Sequence, residues 1–309
     1  MILDRFAAFW CAAGTITFSP GMAVAQDLPD DAECRLEMRV ENDVEWRGLY
    51  GRGYEVFDQG DEFEVVPITI RHEGAGCRYF ITASWLTTGG ENFLAGPQDR
   101  LRFDLLRDPN GPSVLSPDFA GNQLSRIAGA FRTGASAVSI PLYVSVPAGQ
   151  FVRGGSYQGQ AVIRLFRDDN GPELADEGSV GIAVPVASVL KVESPDAGPG
   201  VKDLTVDLGD LTQGSRHTVT FAIRSNANVT ARFESANNGA LKHSAGAPPI
   251  KYDVALAGVP VDLTGTGWQS LAVFGQNEMS VPLDFVVGPQ QHAGAGYYSD
   301  MVTVTFRAD

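Results

Sequence analysis

The sequence has few of the residues from which catalytic and metal sites are built. It contains 3 cysteines and 4 histidines among 309 residues. The histidines are scattered, and no two of them have the spacing of metal ligands on one strand or helix. No serine lies in a Gly-x-Ser-x-Gly elbow. We therefore predict that the protein is not an enzyme and that it uses neither a metal ion nor a cofactor.

Long apolar runs and helical periodicity are also missing. After residue 25, no window keeps a convincing helical period beyond two turns, which argues against a helical fold. One compact apolar stretch, residues 6–13, follows Arg5 and precedes Ala23-Val24-Ala25. It is too short to span a bilayer, and this arrangement is typical of a signal peptide. We predict that residues 1–25 are a signal peptide and that the protein is exported.

Basic residues are in deficit. The chain has 23 Lys and Arg against 37 Asp and Glu, which gives a formal net charge of -14 at pH 7. Such a surface repels nucleic acid and anionic headgroups. Nucleic acid is therefore excluded as a partner, and solubility outside the cell is a sufficient explanation of the charge.

Two of the three cysteines, Cys34 and Cys77, lie beyond the predicted signal peptide. An even number of cysteines in an exported chain predicts one disulfide. In the loop-entropy model, a bridge over a loop of this length contributes about 4 kcal/mol. Two buried free thiols are the alternative.

Glycine and proline are plentiful, at 35 and 18 residues, and they mark turns between short segments of two-fold alternation. Such a spacing of strands and turns is typical of β-sandwiches. We predict an all-β protein with two tandem immunoglobulin-like sandwiches. Residues 26–193 form the N-terminal domain, residues 194–200, rich in Pro and Gly, form a linker, and residues 201–309 form the C-terminal domain.

Two segments of the chain are copies of each other. An offset of 141 positions places Ser280, Pro282, Leu283, Val287, Gln291, Gly296 and Tyr298 on Ser139, Pro141, Leu142, Val146, Gln150, Gly155 and Tyr157 without a gap. In the same register, Val302, Val304 and Phe306 fall on Ala161, Ile163 and Leu165. A fixed offset of this extent indicates two domains with one fold.

The two copies continue differently at their C-terminal ends. After Phe166 the chain turns and enters another alternating segment, whose apolar residues are Val180, Ile182, Val184 and Val186, whereas only three residues come after Phe306. We expect a closing strand at about 179–190 in the N-terminal domain and no such strand in the C-terminal domain.

A sandwich that is short of one strand exposes a hydrophobic groove with unpaired backbone groups. Such a groove accepts a strand from another chain. We predict that it is bordered by Leu204, Val206, Leu208, Val302, Val304 and Phe306. The alternative is a sheet that ends there in short protected edges.

The segment 296–304, Gly-Tyr-Tyr-Ser-Asp-Met-Val-Thr-Val, resembles the closing Gly-x-Tyr-x-Asp-x-Val-x-Val signature of spore coat protein U-like domains, the pilins of archaic chaperone-usher pili. Segments 208–214, 224–226 and 237–252 resemble the same family, so the resemblance covers nearly all of 201–309. In the N-terminal domain it holds for 139–166 and around the two cysteines. That domain has Gln158 and Gly159 in place of Ser299 and Asp300, and the C-terminal domain has no cysteines.

The resemblance implies a two-domain tip adhesin subunit of such a pilus, with a pilin-type C-terminal domain. A periplasmic chaperone and an outer-membrane usher would assemble it, and an adjacent pilin subunit would supply the missing strand by donor-strand exchange. Residues 26–33 are short and polar, so we expect no donor strand there. The expected location is the cell surface, at the pilus tip, reached through the periplasm.

The N-terminal domain would then contact an unknown surface or receptor, and large apolar side chains in loops are the candidates. They are Trp46, Leu49 and Tyr50 in one loop, Trp85, Leu86, Phe93 and Leu94 in a second, and Leu115 and Phe119 in a third. Core packing is the alternative role for each of them. Two other functions fit the sequence: a secreted coat or matrix protein built from the same domains, and a carbohydrate-binding β-sandwich with an aromatic platform.

Overall fold

The structure is a computed structural model of the chain. It describes residues 33–41, 43–48, 51–57, 60, 62–85, 92–197, 200, 202–271 and 278–309. The predicted signal peptide and the candidate residues Leu49, Tyr50 and Leu86 lie outside the described residues. Within the described ranges, no helix has the length and apolar character needed to cross a membrane.

Strands dominate both halves of the chain. Those of the N-terminal domain are β1 (Arg35–Val40), β2 (Val44–Glu45), β3 (Glu62–Glu73), β4 (Cys77–Trp85), β5 (Phe93–Ala95), β6 (Arg100–Arg102), β7 (Asp104–Leu106), β8 (Ile127–Phe131), β9 (Ser136–Val146), β10 (Gly155–Arg167) and β11 (Glu173–Val186). Those of the C-terminal domain are β12 (Leu190–Glu193), β13 (Ser215–Ser225), β14 (Val229–Ser235), β15 (Ala240–His243), β16 (Ile250–Lys251), β17 (Asp253–Leu256), β18 (Val259–Pro260), β19 (Gln269–Leu271), β20 (Met279–Val287), β21 (Tyr298–Ser299) and β22 (Val302–Ala308). A single 3-10 turn, Leu211–Gln213, interrupts the strands of the described residues.

The N-terminal domain is a sandwich of two sheets. One has the order β1-β3-β9-β7, and the other has the order β2-β11-β10-β4-β8, with β5 beside β10 and β6 beside β5. Ile68 and Ile70 of the first sheet and Ile163 and Leu165 of the second are fully buried in the core. Alternate side chains of each strand thus face inward, as the two-fold pattern requires, and the predicted all-β sandwich is confirmed.

The C-terminal domain has as many described strands as the N-terminal domain, but they form three sheets rather than two. One sheet has the order β12-β13-β20-β17-β18, the other has the order β19-β14-β22, and β16, β15 and β21 form a small third sheet. Ile223 and Val281 of the first sheet pack with Val229 and Phe233 of the second.

The 141-residue repeat is visible in the geometry. β9 and β20 end at Val146 and Val287, and β10 and β22 end at Arg167 and Ala308, with the same offset each time. Each copy also has a glycine at positive φ, Gly155 at 147° and Gly296 at 146°, two residues before a tyrosine. The hydroxyl of Tyr157 donates to the carbonyl of Arg153 at 2.9 Å, and that of Tyr298 donates to Gly294 at 3.0 Å.

The passage between the domains lies earlier than the predicted linker. β12 pairs with β13 from Leu190↔Ser225 to Glu193↔Ala222 and so belongs to the C-terminal sheet. Residues 187–189 make the connection, whereas residues 194–200 come after β12. The sequence did not indicate this boundary, because Leu190 and Val192 continue the alternation of apolar residues at even-numbered positions that begins in β11.

Asn226 holds this passage in place. Its side chain is fully buried; it accepts from the backbone N–H of Val189 at 2.7 Å and donates to the carbonyl of Ala187 at 2.9 Å. Its own carbonyl accepts from the N–H of Gly154 in the N-terminal domain at 3.2 Å.

The predicted disulfide joins Cys34 to Cys77. Cys34 precedes β1 in one sheet, and Cys77 begins β4 in the other, so the bridge links the two layers of the N-terminal sandwich.

Candidate functional site

Strand β22 has a hydrogen-bonded neighbour on one side. It pairs antiparallel with β14 from Val302↔Ser235 to Ala308↔Val229, and among the described residues no strand pairs with its other edge. Its counterpart in the first copy, β10, lies between β4 and β11. No described strand of the C-terminal domain therefore stands in the place of β11.

The burial of the two copies differs accordingly. Ala161, Ile163 and Leu165 on β10 are all 0 % exposed. At the same positions of β22, Val302, Val304 and Phe306 are only half-buried and pack at the margin of the core. In the first copy, β11 provides the cover: Val180, Ile182, Val184 and Val186 are all buried, and β11 pairs with β10 along its length.

Half-buried apolar side chains lie along β22, whose second edge is unpaired among the described residues. The rings of Phe221 and Phe306 meet edge to face, with centroids 5.2 Å apart. Leu190 and Val192 of β12, which lies near β22, are also half-buried against the same core. Part of the apolar margin of this domain therefore lies on β12 and β22.

Leu204, Val206 and Leu208, which were predicted to border the groove, do not lie on a strand. Residues 202–210 have no regular structure, and Leu204 is 39 % exposed. Leu208 does pack against the core.

The N-terminal domain explains this difference. There, β2 comes after β1 and is a strand because it pairs in parallel with β11, through Ile182↔Val44 and Ala183↔Glu45. The segment after β12 has no such partner among the described residues, and a strand exists only where its backbone finds one. The alternation of apolar residues at 204–208 is therefore not sufficient to form a strand when no neighbouring strand is present.

Asp300, in the turn that leads into β22, was noticed in the sequence only as part of the signature. Its carboxylate accepts hydrogen bonds from the hydroxyl of Tyr252 at 2.6 Å and from the N–H and Nδ2 of Asn237 at 3.1 and 3.0 Å, and also from Ser235. Burial and the nearby Asp300 carboxylate raise the pKa of Tyr252. This network fixes the start of β22 against β14.

The first copy has glycine where this aspartate stands. A Cβ on Gly159 would lie 2.1 Å from the Trp85 ring, so the indole occupies the space beside the strand. The departure of Gln158 and Gly159 from the signature therefore has a packing reason, and Trp85 is a structural residue.

Most of the loop candidates for surface contact are covered. Trp46 is 1 % exposed and Leu94 is 0 % exposed, so both belong to the core and the prediction of surface contact is wrong for them. Trp85 and Leu115 are half-buried against the core, and Phe93 is half-buried. Phe119 is the described candidate that is largely exposed, at 56 %.

Trp46 and the pair Phe93–Leu94 also lie towards the end of the domain that adjoins the C-terminal domain. Ala95, next to Leu94, pairs with Gln158 near the start of β10. The N–H of Trp46 bonds to the carbonyl of Ala183, and Tyr54 bridges to Val186, the last residue of β11. The opposite end carries the turns at 74–76, 132–135 and 168–172. It is about 40 Å away, since β10 has 13 residues at about 3.3 Å each.

Sequence reasoning missed two exposed apolar features. Leu124, in the same loop as Phe119, is 83 % exposed. On the outer face of β3, Phe63 and Val65 are 43 % and 50 % exposed, and Phe63 meets the Tyr143 ring edge-on at 5.4 Å. The almost continuous apolar run 65–70 was the available signal, because a half-buried strand should alternate.

No protein-family model matches the chain, and no curated protein does. Among solved structures, it is similar to the CupB6 tip adhesin from Pseudomonas aeruginosa, with 15% identity, a TM-score of 0.47 and coverage of 89% of this chain and 94% of that one. It is also similar to the chaperone–tip subunit complex CsuC–CsuE of archaic chaperone-usher Csu pili of Acinetobacter baumannii (13%, 0.40, 89% and 99%). A third is CfaE, the adhesive subunit of CFA/I fimbria of enterotoxigenic Escherichia coli (14%, 0.37, 89% and 81%). A likeness of this size does not assign a function.

Proposed function

We propose that the chain is a pilus tip adhesin subunit whose C-terminal domain accepts a β-strand from an adjacent subunit. The observation that carries the proposal is the half-exposed core face of β22, at the positions where its copy β10 is fully covered by β11. The N-terminal domain needs no donor, because β11 already covers β10.

An added strand would satisfy two requirements at once. Its backbone would pair with the edge of β22 that has no partner among the described residues, and it would remove Val302, Val304 and Phe306 from water, as their counterparts on β10 are. Each apolar side chain removed from water in this way contributes about 1.5–3 kcal/mol.

The first copy supplies the register of the donor. In it, Ala161 pairs with Val180, Gly159 with Ile182 and Tyr157 with Val184. With the offset of 141, the apolar residues of a donor would lie opposite Val302, Asp300 and Tyr298. The donor would run antiparallel to β22, and residues 204–208 would form a strand parallel to it, as β2 does beside β11.

The remaining roles depend on such an assembly. An exposed apolar edge is prone to aggregation, so a periplasmic chaperone would cover the groove until an outer-membrane usher passes the subunit into the fibre. The N-terminal domain would contact the surface or receptor at the cell exterior, and Phe119 and Leu124 are its exposed loop side chains.

The test is to graft the closing strand onto the second copy. Residues 168–186 are fused after Ala308 of the full chain, which reproduces the first-copy hairpin in the same register. We expect the fused protein to be monomeric by light scattering and its C-terminal unfolding transition to gain at least about 3 kcal/mol. The control fusion carries aspartate at the positions of Val180, Ile182 and Val184 and should gain nothing. An unfused chain that is monomeric and as stable as the fused one contradicts the proposal.

The outer face of β3 favours a second candidate function, carbohydrate binding. The exposed Phe63 ring meets the half-buried Tyr143 ring edge-on on a sheet face, and aromatic side chains on a sheet face provide apolar contacts for a sugar. Binding to a glycan array by the full chain, lost in Phe63→Ala and retained in Phe119→Ala, would support this function. Equal binding by both variants would reject it.

A further inference from the structure

A buried histidine faces the disulfide. His72 in β3 is 1 % exposed. One of its ring nitrogens and the sulfurs of Cys34 and Cys77 all lie within 4.8 Å of one another. The three side chains come from three different segments: β3, the residue ahead of β1, and the start of β4. Two sulfurs and an imidazole are the ligand types that thiophilic metal ions prefer.

The imidazole of His72 is held in one orientation. Its Nε2 lies 2.7 Å from the carbonyl oxygen of Ala75, and because a carbonyl only accepts, Nε2 carries the proton. The ring stacks on Phe131 with centroids 4.8 Å apart. Metal-binding histidines are ordinarily oriented in this way, by donation of the other N–H to a carbonyl or carboxylate.

The second ring nitrogen of His72, Nδ1, then presents a lone pair. It is buried, and it has no hydrogen-bond partner among the described residues. A buried acceptor without a partner costs free energy, and the disulfide form of the protein does not use this one.

We propose that the dithiol form of the chain binds one metal ion of the zinc class through the thiolates of Cys34 and Cys77 and Nδ1 of His72. Neighbouring ligand atoms of a tetrahedral zinc ion lie about 3.5 Å apart, so after reduction the two sulfurs need to separate and the imidazole needs to shift to bind the same ion. Binding releases the two thiol protons. Formation of the disulfide uses the same sulfurs and excludes the ion, so oxidant and metal compete for an exported chain whose thiols are not yet joined.

An entry path leads to the cluster. A cleft of about 620 Å³ at the end of the domain away from the passage is lined by Cys34 and Gly76, together with the polar side chains of Glu33, Asp169 and Glu173. Cys34 itself is half-buried. Water in this cleft can supply a fourth ligand, as at zinc sites with three protein ligands.

The experiment uses the full chain after reduction with a phosphine, which leaves no competing thiol. Zn²⁺ is titrated against a chromophoric chelator, and Co²⁺ is added separately to detect thiolate-to-metal charge transfer. We expect one Zn²⁺ per reduced chain and none in the oxidised chain. His72→Ala should weaken binding at least tenfold, whereas His217→Ala, at an exposed position of β13, should leave it unchanged.

Folding is followed by circular dichroism in the same samples. If reduction unfolds the chain, Zn²⁺ is expected to restore the β spectrum, since binding to a folded site is coupled to folding. Equal affinity in the wild type and His72→Ala, binding that persists unchanged in concentrated urea, or the absence of binding by the reduced chain would each overturn the proposal.

The competition has its own readout. Glutathione disulfide oxidises the two thiols to the Cys34–Cys77 bridge and is itself reduced to two glutathione molecules. Saturating Zn²⁺ should slow this reaction at least tenfold in the wild type and by much less in His72→Ala. An unchanged rate in the wild type would also overturn the proposal.

Discussion

Tyr157 and Asp300 show how single polar groups hold each copy of the repeat. The hydroxyl of Tyr157 is bonded to the carbonyl of Arg153 inside the N-terminal core, where the side chain is 0 % exposed. Asp300 gathers the donors of Tyr252, Asn237 and Ser235 at the turn before β22. A buried polar group is tolerated only with its partner, so both residues fix the backbone around them.

The phenol of Tyr157 should ionise at a higher pH than an ordinary tyrosine. Burial, and secondarily the charge of Asp99, raises its pKa to about 12. Since the folded-state pKa lies above the ordinary value near 10, the neutral hydroxyl contributes stability that is complete below pH 10 and is lost as the pH rises towards 12. Ultraviolet absorbance of tyrosinate should show a phenol that ionises only with unfolding. Tyr157→Phe should remove this phenol from the titration, and complete ionisation of the folded wild type near pH 10 would contradict the prediction.

Asp300→Ala should destabilise the C-terminal domain by roughly 3 kcal/mol. The substitution leaves the hydroxyl of Tyr252 and the amide of Asn237 without their acceptor, and hydrogen bonds to a charged group are worth about 1.5–3 kcal/mol each. Urea unfolding of the full chain measures the loss. The control is Asp253→Ala at an exposed position of β17, for which we expect a change below about 0.5 kcal/mol. Equal effects of the two substitutions would show that the network contributes nothing.

The matched strands β10 and β22 show what a neighbouring strand contributes. The two strands are aligned by the 141-residue offset, end at corresponding residues and follow similar turns. The apolar side chains facing the core are nevertheless fully buried on β10 and only half-buried on β22. The difference accompanies the neighbouring strands: β10 lies between β4 and β11, whereas among the described residues β22 pairs with β14. This difference in pairing also explains why residues 204–208 are irregular, because a short parallel strand such as β2 exists only beside a partner.

Truncation of corresponding side chains should therefore have unequal effects. Ile163→Ala removes a fully buried side chain and should cost about 2–5 kcal/mol of N-terminal stability. Val304→Ala removes a half-exposed one and should cost less than about 1 kcal/mol in the free chain. In the chain with the grafted closing strand, the cost of Val304→Ala should rise above about 1.5 kcal/mol, because the side chain is then buried. Urea denaturation of these three variants and their two parents tests this, and a large cost of Val304→Ala in the unfused chain would mean that β22 is already covered.

The two domains of the molecule are joined by a short, hydrogen-bonded passage. The side chain of Asn226 forms hydrogen bonds with the backbone of Ala187 and Val189, and the N–H of Gly154 donates a hydrogen bond to the carbonyl of Asn226. Beside them, the Phe57 ring of the N-terminal domain lies under the guanidinium of Arg224, at 4.7 Å from the centroid.

Asn226→Ala should loosen the joint. The substitution removes both side-chain hydrogen bonds to the passage and leaves a buried N–H and C=O without partners. Spin labels at Ser139 and Lys242, both exposed, report the distance between the domains, and we expect its distribution to broaden clearly. Asn228→Ala, two residues away at an exposed position, should leave the distribution unchanged. A distribution as narrow as that of the parent in Asn226→Ala would assign the rigidity to other contacts.

The sequence alone determined what depends on local pattern. Two-fold alternation and turn residues predicted two β-sandwiches, an even cysteine count predicted the Cys34–Cys77 bridge, and the 141-residue repeat predicted that β10 and β22 have the same place in two related domains. These features are encoded in the order of neighbouring residues, because side-chain direction alternates along any strand.

Only the tertiary structure decided what depends on neighbours from distant parts of the chain. It placed Trp46 and Leu94 in the core, moved the domain passage to 187–189, and left residues 204–208 irregular, because burial and pairing are set by the elements that pack alongside. It also placed His72 beside the two cysteines. The spacing of these residues in the sequence does not predict this, because the three side chains come from segments that meet only when the sandwich folds.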